Sequence, residues 1–270
     1  MDTLLKQFGI NIDYYAALVA WSLLFTRTFT MLILVPFLGA RGISGRIRLM
    51  VAIVLSVFAY VMMGEEIQTQ LPEDKGVLIA LYFKEIFIGI AIGVTTIMTF
   101  YAIQAAGSIV DNQRGSANAQ IFSPQLGQVS IFGLLQFWFG LALFLSMMGH
   151  IPFLKAFFEG FQTVPVFRLP NIEPGLSPFL KLMIRMSADV LILGVQLAAP
   201  VLIAIFLTDL VLGIANKMAP QIPVFELGFL MKGYVGVVMV YVSIAVLAAQ
   251  MDVFFDTMNT NVLKVIYYFR

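Results

Sequence analysis

Cysteine is absent from the 270 residues, which removes disulfides, thiolate metal sites and cysteine nucleophiles together. Histidine occurs once, as His150, so a multi-histidine metal site is excluded. Charge is scarce as well: 16 basic and 15 acidic residues make 11% of the chain, with a net charge of +1. A balance so close to neutral offers no bulk attraction for nucleic acid, and the basic residues are scattered rather than clustered with aromatics. Nucleic-acid binding is therefore dropped. No H-E-x-x-H, G-x-S-x-G, P-loop or G-x-G-x-x-G occurs, so the common enzyme signatures are missing and neither an enzyme nor a cofactor is expected.

What the chain has is apolar surface. Sixty per cent of its residues are apolar or aromatic and its mean hydropathy is +0.95. A soluble domain carries roughly 25% charged residues, so a water-soluble fold and a disordered chain are both excluded. With charges read as punctuation, apolar runs fall at 14–39, 47–63, 77–106, 129–149, 186–215 and 228–249. A helix needs about 20 apolar residues to cross a membrane, so the expectation is an all-α protein with about six long, partly broken helices, embedded in a membrane or an assembly. No repeat, linker or low-complexity tract is visible, and residues 1–270 read as one domain. The start, Met1-Asp2-Thr3-Leu4-Leu5-Lys6, lacks the pattern of a removable signal peptide.

Several residues stand out against this background. Arg27 lies in the middle of the first run, where a charge costs about 2.5–3.5 kcal/mol, and needs a partner. Asp111, Asp189 and Asp209 are the candidate acids; alternatively Arg27 snorkels to an interface. Gly89 and Gly93 form a G-x-x-x-G face suited to close helix contact. Asp189 and Asp209 bracket a charge-free stretch, 190–208, long enough to span hydrocarbon, with Pro200 midway as an expected kink. The basic connection with Arg41, Arg46 and Arg48 reads as cytoplasmic and the acidic one with Glu65, Glu66 and Glu73 as external. Continued alternation then puts Lys155, Arg168, Lys181 and Arg185 on the wrong side. Either the spans are miscounted or some helices are covered by protein.

Two polar stretches break the apolar pattern. Residues 106–120 hold Gly107, Asp111, Asn112, Gln113, Arg114 and Gly115, and read either as a re-entrant, pore-lining loop or as a plain connection. Asp111 and Arg114, three apart, suit a charge pair that locks such a loop. Residues 209–228 read as helix end, turn and helix start, with Pro220 and Pro223 enforcing the bend and Lys232 placed to pair with Glu226 or Asp209.

The stretch Ala106-Gly107-Ser108-Ile109-Val110-Asp111-Asn112-Gln113-Arg114-Gly115, with Asn216-Lys217-Met218-Ala219-Pro220-Gln221-Ile222-Pro223-Val224-Phe225, resembles the T subunit of the bacterial type III secretion export apparatus, the SctT family related to flagellar FliR. Arg27, Pro36, Arg41, Arg46 and Arg48 agree with it, and the likeness runs from about Trp21 to Lys232. The D-N-Q-R-G form is closer to the virulence-associated branch; Gly45 stands where flagellar relatives have proline. The resemblance implies a multi-pass protein of the bacterial inner membrane, within the basal body of the secretion system. There it would join R and S subunits in an export gate, adjoin the U subunit, contact lipid and pass unfolded substrate proteins transiently. It further implies that 107–128, with Gly107, Asp111, Asn112, Gln113, Arg114 and Gly115, helps plug the channel. Arg27, Asp209, Lys217, Pro220, Gln221 and Lys232 are expected at subunit contacts or as buried charges. A secondary transporter for a small solute is the main alternative, and a scaffold without a channel-facing part the next.

Overall fold

A computed structural model describes residues 14–39, 44–63, 72, 74–115, 130–170 and 172–270. Arg41, Glu65, Glu66 and Glu73 lie outside the described residues, as does 116–129, which holds most of the expected plug. Among the described residues all regular structure is helical: α1 (Tyr14–Leu34), α2 (Pro36–Gly39), α3 (Gly45–Met63), α4 (Lys75–Gln113), α5 (Ile131–Ser146), α6 (His150–Thr163), α7 (Ile172–Met218) and α8 (Val224–Tyr268). Five are long and apolar enough to cross a membrane, six if α5 and α6 count as one broken span. The all-α membrane class is thus as expected.

The helices differ from the apolar runs mainly by being longer. α7 starts well before residue 186 and α8 continues past 249. Charges marked run ends in the sequence, but Lys181, Arg185, Asp252 and Asp256 sit on exposed helix surface, where a charge does not interrupt backbone hydrogen bonding. Pro200 lies inside α7 without breaking it. The stretch counted as a basic loop contains a whole helix, α6. Its buried residues Phe153, Ala156, Phe157, Gly160 and Phe161 recur at helical spacing, and Pro152 is harmless in a first turn whose N–H groups have no intrahelical acceptor.

The chain forms two compact units. The first comprises 1–97, 150–182 and 259–270, the second 98–149 and 183–258.

In the first unit α1 lies parallel to the beginning of α4. Ser22 meets Tyr82, Arg27 meets Glu85, Thr30 meets Gly89 and Leu34 meets Gly93, advancing the same way along both helices. The G-x-x-x-G face is what allows this. A Cβ on Gly89 would stand 2.6 Å from the Arg27 carbonyl oxygen, and one on Gly93 2.7 Å from Leu34 Cβ. α3 packs on α1 and α6. Phe87, Phe179 and Phe269 form an aromatic cluster tying α4 to the start of α7 and the chain's end.

Arg27 is paired, but not with Asp111, Asp189 or Asp209. Its partner is Glu85, 0% exposed, one helical turn before Gly89 on the same face of α4. Arg27 Nε and Nη2 donate to the two carboxylate oxygens, while Nη1 and Nη2 also reach the carbonyls of Gly160 (3.2 Å) and Val164 (3.0 Å). The guanidinium lies over the Phe161 ring at 4.6 Å. Lys84 Nζ stands 2.7 Å from Glu85 Oε1 and donates to the carbonyls of Pro165, Val166 and Arg168 at 2.8, 2.8 and 2.9 Å. Two cations thus collect five carbonyls from the end of α6 and the turn after it, where the helix dipole is negative; those of Gly160 and Pro165 also accept the backbone N–H groups of Val164 and Arg168.

Removing one member of a buried ion pair typically costs about 3–5 kcal/mol, because the remaining charge stays buried without compensation. Glu85→Ala is therefore expected to lower the thermal unfolding midpoint of the detergent-solubilised protein strongly. Glu159→Ala, whose carboxylate makes an exposed 4.0 Å pair with Lys155, is expected to leave it nearly unchanged.

Candidate functional site: the Asp111 clamp and the α7–α8 hairpin

The second unit holds both polar stretches singled out in the sequence. Its core is the C-terminal half of α4 against α5, α7 and α8, with Ala106, Val110, Phe132, Ala198, Val201, Ile205 and Val240 in one buried cluster. α4 and α5 run antiparallel: Phe100 packs on Phe137 and Phe144, Ile103 lies under Gly140, and Gly107 faces Phe132 and Gly133.

The expected loop begins later than the sequence implied. Gly107, Asp111, Asn112 and Gln113 belong to α4, and only Arg114 and Gly115 form a turn. The helix persists because Ala102, Ala106 and Val110 give it a buried small-residue face. Gly107 serves close approach rather than flexibility, since a Cβ there would strike the Phe132 backbone. Gly115, with φ at 84°, is the residue that ends the helix; its N–H bonds the Asn112 carbonyl at 3.2 Å.

Asp111, 2% exposed, is the hub. One carboxylate oxygen accepts from Arg114 Nε at 2.9 Å and lies 2.8 Å from its Nη2. The other accepts from the Ser130 hydroxyl at 2.7 Å and the Phe132 N–H at 2.8 Å. Ser130 is the N-cap of α5, its oxygen accepting from the Gly133 N–H at 2.9 Å. Asp111 and Ser130 together satisfy two N–H groups at the start of α5, and the carboxylate faces the positive end of the helix dipole. Arg114 also stacks over the Phe132 ring at 4.3 Å. One carboxylate therefore holds the chain at 114 and at 130–132, the two ends of the 116–129 segment. The Asp111–Arg114 pair was legible from its spacing; Ser130 and Phe132, beyond the intervening segment, were not.

The α7–α8 hairpin supplies a second group. Lys232 Nζ lies 2.9 Å from Asp209 Oδ1, one of the two pairings the sequence allowed. Arg114 and Gly115 join Asp209, Asn216, Gly228 and Lys232 around a cavity of about 370 Å³, so the two stretches meet here. Lys217, Pro220 and Gln221 are exposed at the hairpin tip and line no part of it. Lys84 and Glu85 went unremarked in the sequence although two adjacent charges inside an apolar run were a usable signal. His150 opens α6, and no cluster of metal-binding side chains occurs among the described residues.

Residues 18–258 match the family described as bacterial export proteins, family 1. The chain belongs to that family. The matched range takes in Arg27, Lys84, Glu85, Asp111, Asp209 and Lys232, so both charge groups of this export protein lie within the family's extent. It is similar to Yop proteins translocation protein T of Yersinia pestis, 32% identical over 217 residues that cover 80% of this chain and 82% of that protein. It is also similar to flagellar biosynthetic protein FliR of Bacillus subtilis (strain 168), 29% identical over 230 residues, 84% of this chain and 87% of the relative. FliR of Escherichia coli (strain K12) is 26% identical over 218 residues, 80% of each.

Loss of an N-cap hydroxyl costs about 1 kcal/mol. Ser130→Ala in this export protein removes both the cap and one bond to Asp111, and is expected to speed hydrogen exchange at the first turn of α5 while leaving α1 unchanged. Exchange measured by mass spectrometry on the solubilised protein reads both.

Proposed function

We propose that this chain is a subunit of the export gate of a type III protein secretion system, acting in the bacterial inner membrane within the basal body as a single export-gate domain. The observation that carries the reading is the similarity, over about four-fifths of the chain, to a protein named for translocation and to proteins named for flagellar biosynthesis. The partners in this reading are the R and S subunits, with the U subunit adjoining, and exported proteins pass through the assembly unfolded. The chain's long helices support a role in an assembly, since much of α3, α7 and α8 is exposed and apolar. The relatives favour export over the solute-transporter alternative.

In this reading 107–128 helps plug the channel, with the described end of α4 as its fixed base. A closed channel must hold back ions yet be able to open, which suits a segment held by a few reversible polar contacts. The Asp111 carboxylate supplies such contacts at both ends. Opening breaks the bonds to Arg114 or to Ser130 and Phe132, and neither break dismantles the apolar core beneath. Gly115 provides the turn from which the segment leaves α4. Arg27, Asp209, Lys217, Pro220, Gln221 and Lys232 were the residues expected at contacts or as buried charges. Arg27 falls to the buried class, while the exposure of Lys217, Pro220 and Gln221 supports a role for them in contacts with another subunit.

Two experiments test the reading. Co-expression with tagged R and S subunits, followed by detergent purification and native mass analysis, is expected to recover one discrete complex containing this chain. Purification as a stable, monodisperse protein that never joins the others overturns it. Within the recovered complex, Asp111→Ala and Gly115→Val are expected to raise resting ion conductance in planar bilayers. Resting conductance and substrate export both unchanged in the two variants would remove the plug assignment.

A further inference from the structure

We propose that the cavity at the α7–α8 hairpin binds the headgroup of a zwitterionic, amine-bearing phospholipid, a phosphoethanolamine attached to its acyl chains. The assignment rests on the second unit alone and does not depend on the export reading.

The first observation is depth. In α7 no charge occurs from 190 to 208, and in α8 none from 233 to 251. Val201 and Val240 share one buried cluster and Asp209 pairs with Lys232, so the two charge-free stretches lie side by side and end at the same level. At 1.5 Å per residue each is about 28 Å long, the thickness of a bilayer's hydrocarbon core. The cavity begins at Asp209 and Lys232, where that band stops. Phe225, 85% exposed on the cavity rim, adds an apolar edge against which an acyl chain can pack.

The second observation is space. α4 ends at Gln113, and the cavity is lined by Arg114 and Gly115 just past that end and by residues 209–232 of α7 and α8. Gly213 on the wall has nothing within 4 Å of a Cβ position, so the opening is not closed by side chains there. A volume of about 370 Å³ lies within the range of small-ligand sites.

The third is charge, and it selects the ligand. Lys232 has one ion-pair partner among the described residues, and its ammonium has three donors. Arg114, which commits Nε and Nη2 to Asp111, is among the residues that line the cavity. These cations suit a phosphodiester. Yet Asp209, whose side chain is 49% exposed, lines the same cavity, and Asp111 stands behind Arg114. The four charges sum to zero, which opposes a purely anionic guest. A ligand with a phosphate toward Lys232 and Arg114 and an ammonium toward Asp209 satisfies both signs, and the Asn216 amide can serve either.

The test uses the full chain, delipidated in detergent, with native mass spectrometry of lipid binding. Phosphatidylethanolamine is expected to outcompete phosphatidylglycerol of the same acyl chains by about tenfold, the scale of one charge-assisted contact. Asp209→Asn removes the ammonium's partner and makes the site net positive, so the preference is expected to vanish or reverse. Gly213→Trp places a bulky ring on the cavity wall, where an added Cβ meets nothing within 4 Å, without removing the Lys232–Asp209 pair, and is expected to lower binding of both lipids; it carries the test if Asp209→Asn does not fold. Equal binding of the two lipids by the unaltered chain overturns the proposal, as does a preference that survives Asp209→Asn or binding of both lipids that survives Gly213→Trp undiminished. Free phosphoethanolamine displacing the lipid at equal concentration would identify a site for a soluble headgroup and overturn the lipid assignment.

Discussion

The meeting of Arg27, Lys84 and Glu85 is the constraint around which the first unit is arranged. Three charges in an apolar interior are tolerable only when every donor and acceptor is matched, because desolvation of an unmatched charge exceeds what packing returns. The match is achieved with backbone carbonyls from a third helix and the turn after it. The carbonyl of Gly160 belongs to the last turn of α6, and those of Val164, Pro165, Val166 and Arg168 to the turn that follows. α1, α4 and α6 are thereby fixed by hydrogen bonds, whose directionality apolar contact lacks. Gly89 makes the arrangement possible by letting α1 approach α4 one turn from the ion pair.

The Asp111 clamp in the second unit follows the same logic with a different balance. There a single acid serves the positive end of a helix, where the Arg27 and Lys84 cations serve a negative one. It also differs in exposure. The Arg27–Glu85 pair is fully enclosed, whereas the Arg114 side chain is 18% exposed and stands at a cavity. Water can compete for Arg114, so the clamp is the more readily opened of the two. An enclosed pair fixes α1 on α4, and a partly exposed one joins the end of α4 to the start of α5.

The hairpin of α7 and α8 shows how a long helix carries several environments. Its middle is free of charge and exposed on one side, its ends are charged, and the transition falls at the same level on both helices. Exposure of so much apolar surface has meaning only for a chain surrounded by lipid or by other subunits. Lys217, Pro220 and Gln221, beyond the band, carry the polar tip.

The helical class, the number of long segments and the family resemblance were all legible in the residues, because apolar length and the scarcity of charge dictate backbone-satisfied helices wherever water is excluded. Local pairings were legible too: Asp111 with Arg114 at helical spacing, Gly89 with Gly93, and Lys232 with Asp209 across a short turn. Helix ends were not, since a charge on an exposed face reads in one dimension like a charge at a terminus, and α6 was hidden among Lys155, Glu159 and Pro152 for that reason. Nor were the long-range partners. Which acid meets Arg27 depends on the register of α1 on α4, and that Asp111 reaches Ser130 and Phe132 depends on α5 folding back against α4. Sequence by itself determined what each segment must become; tertiary structure alone decided which buried charge found which partner, because register and approach are set by packing between segments distant along the chain.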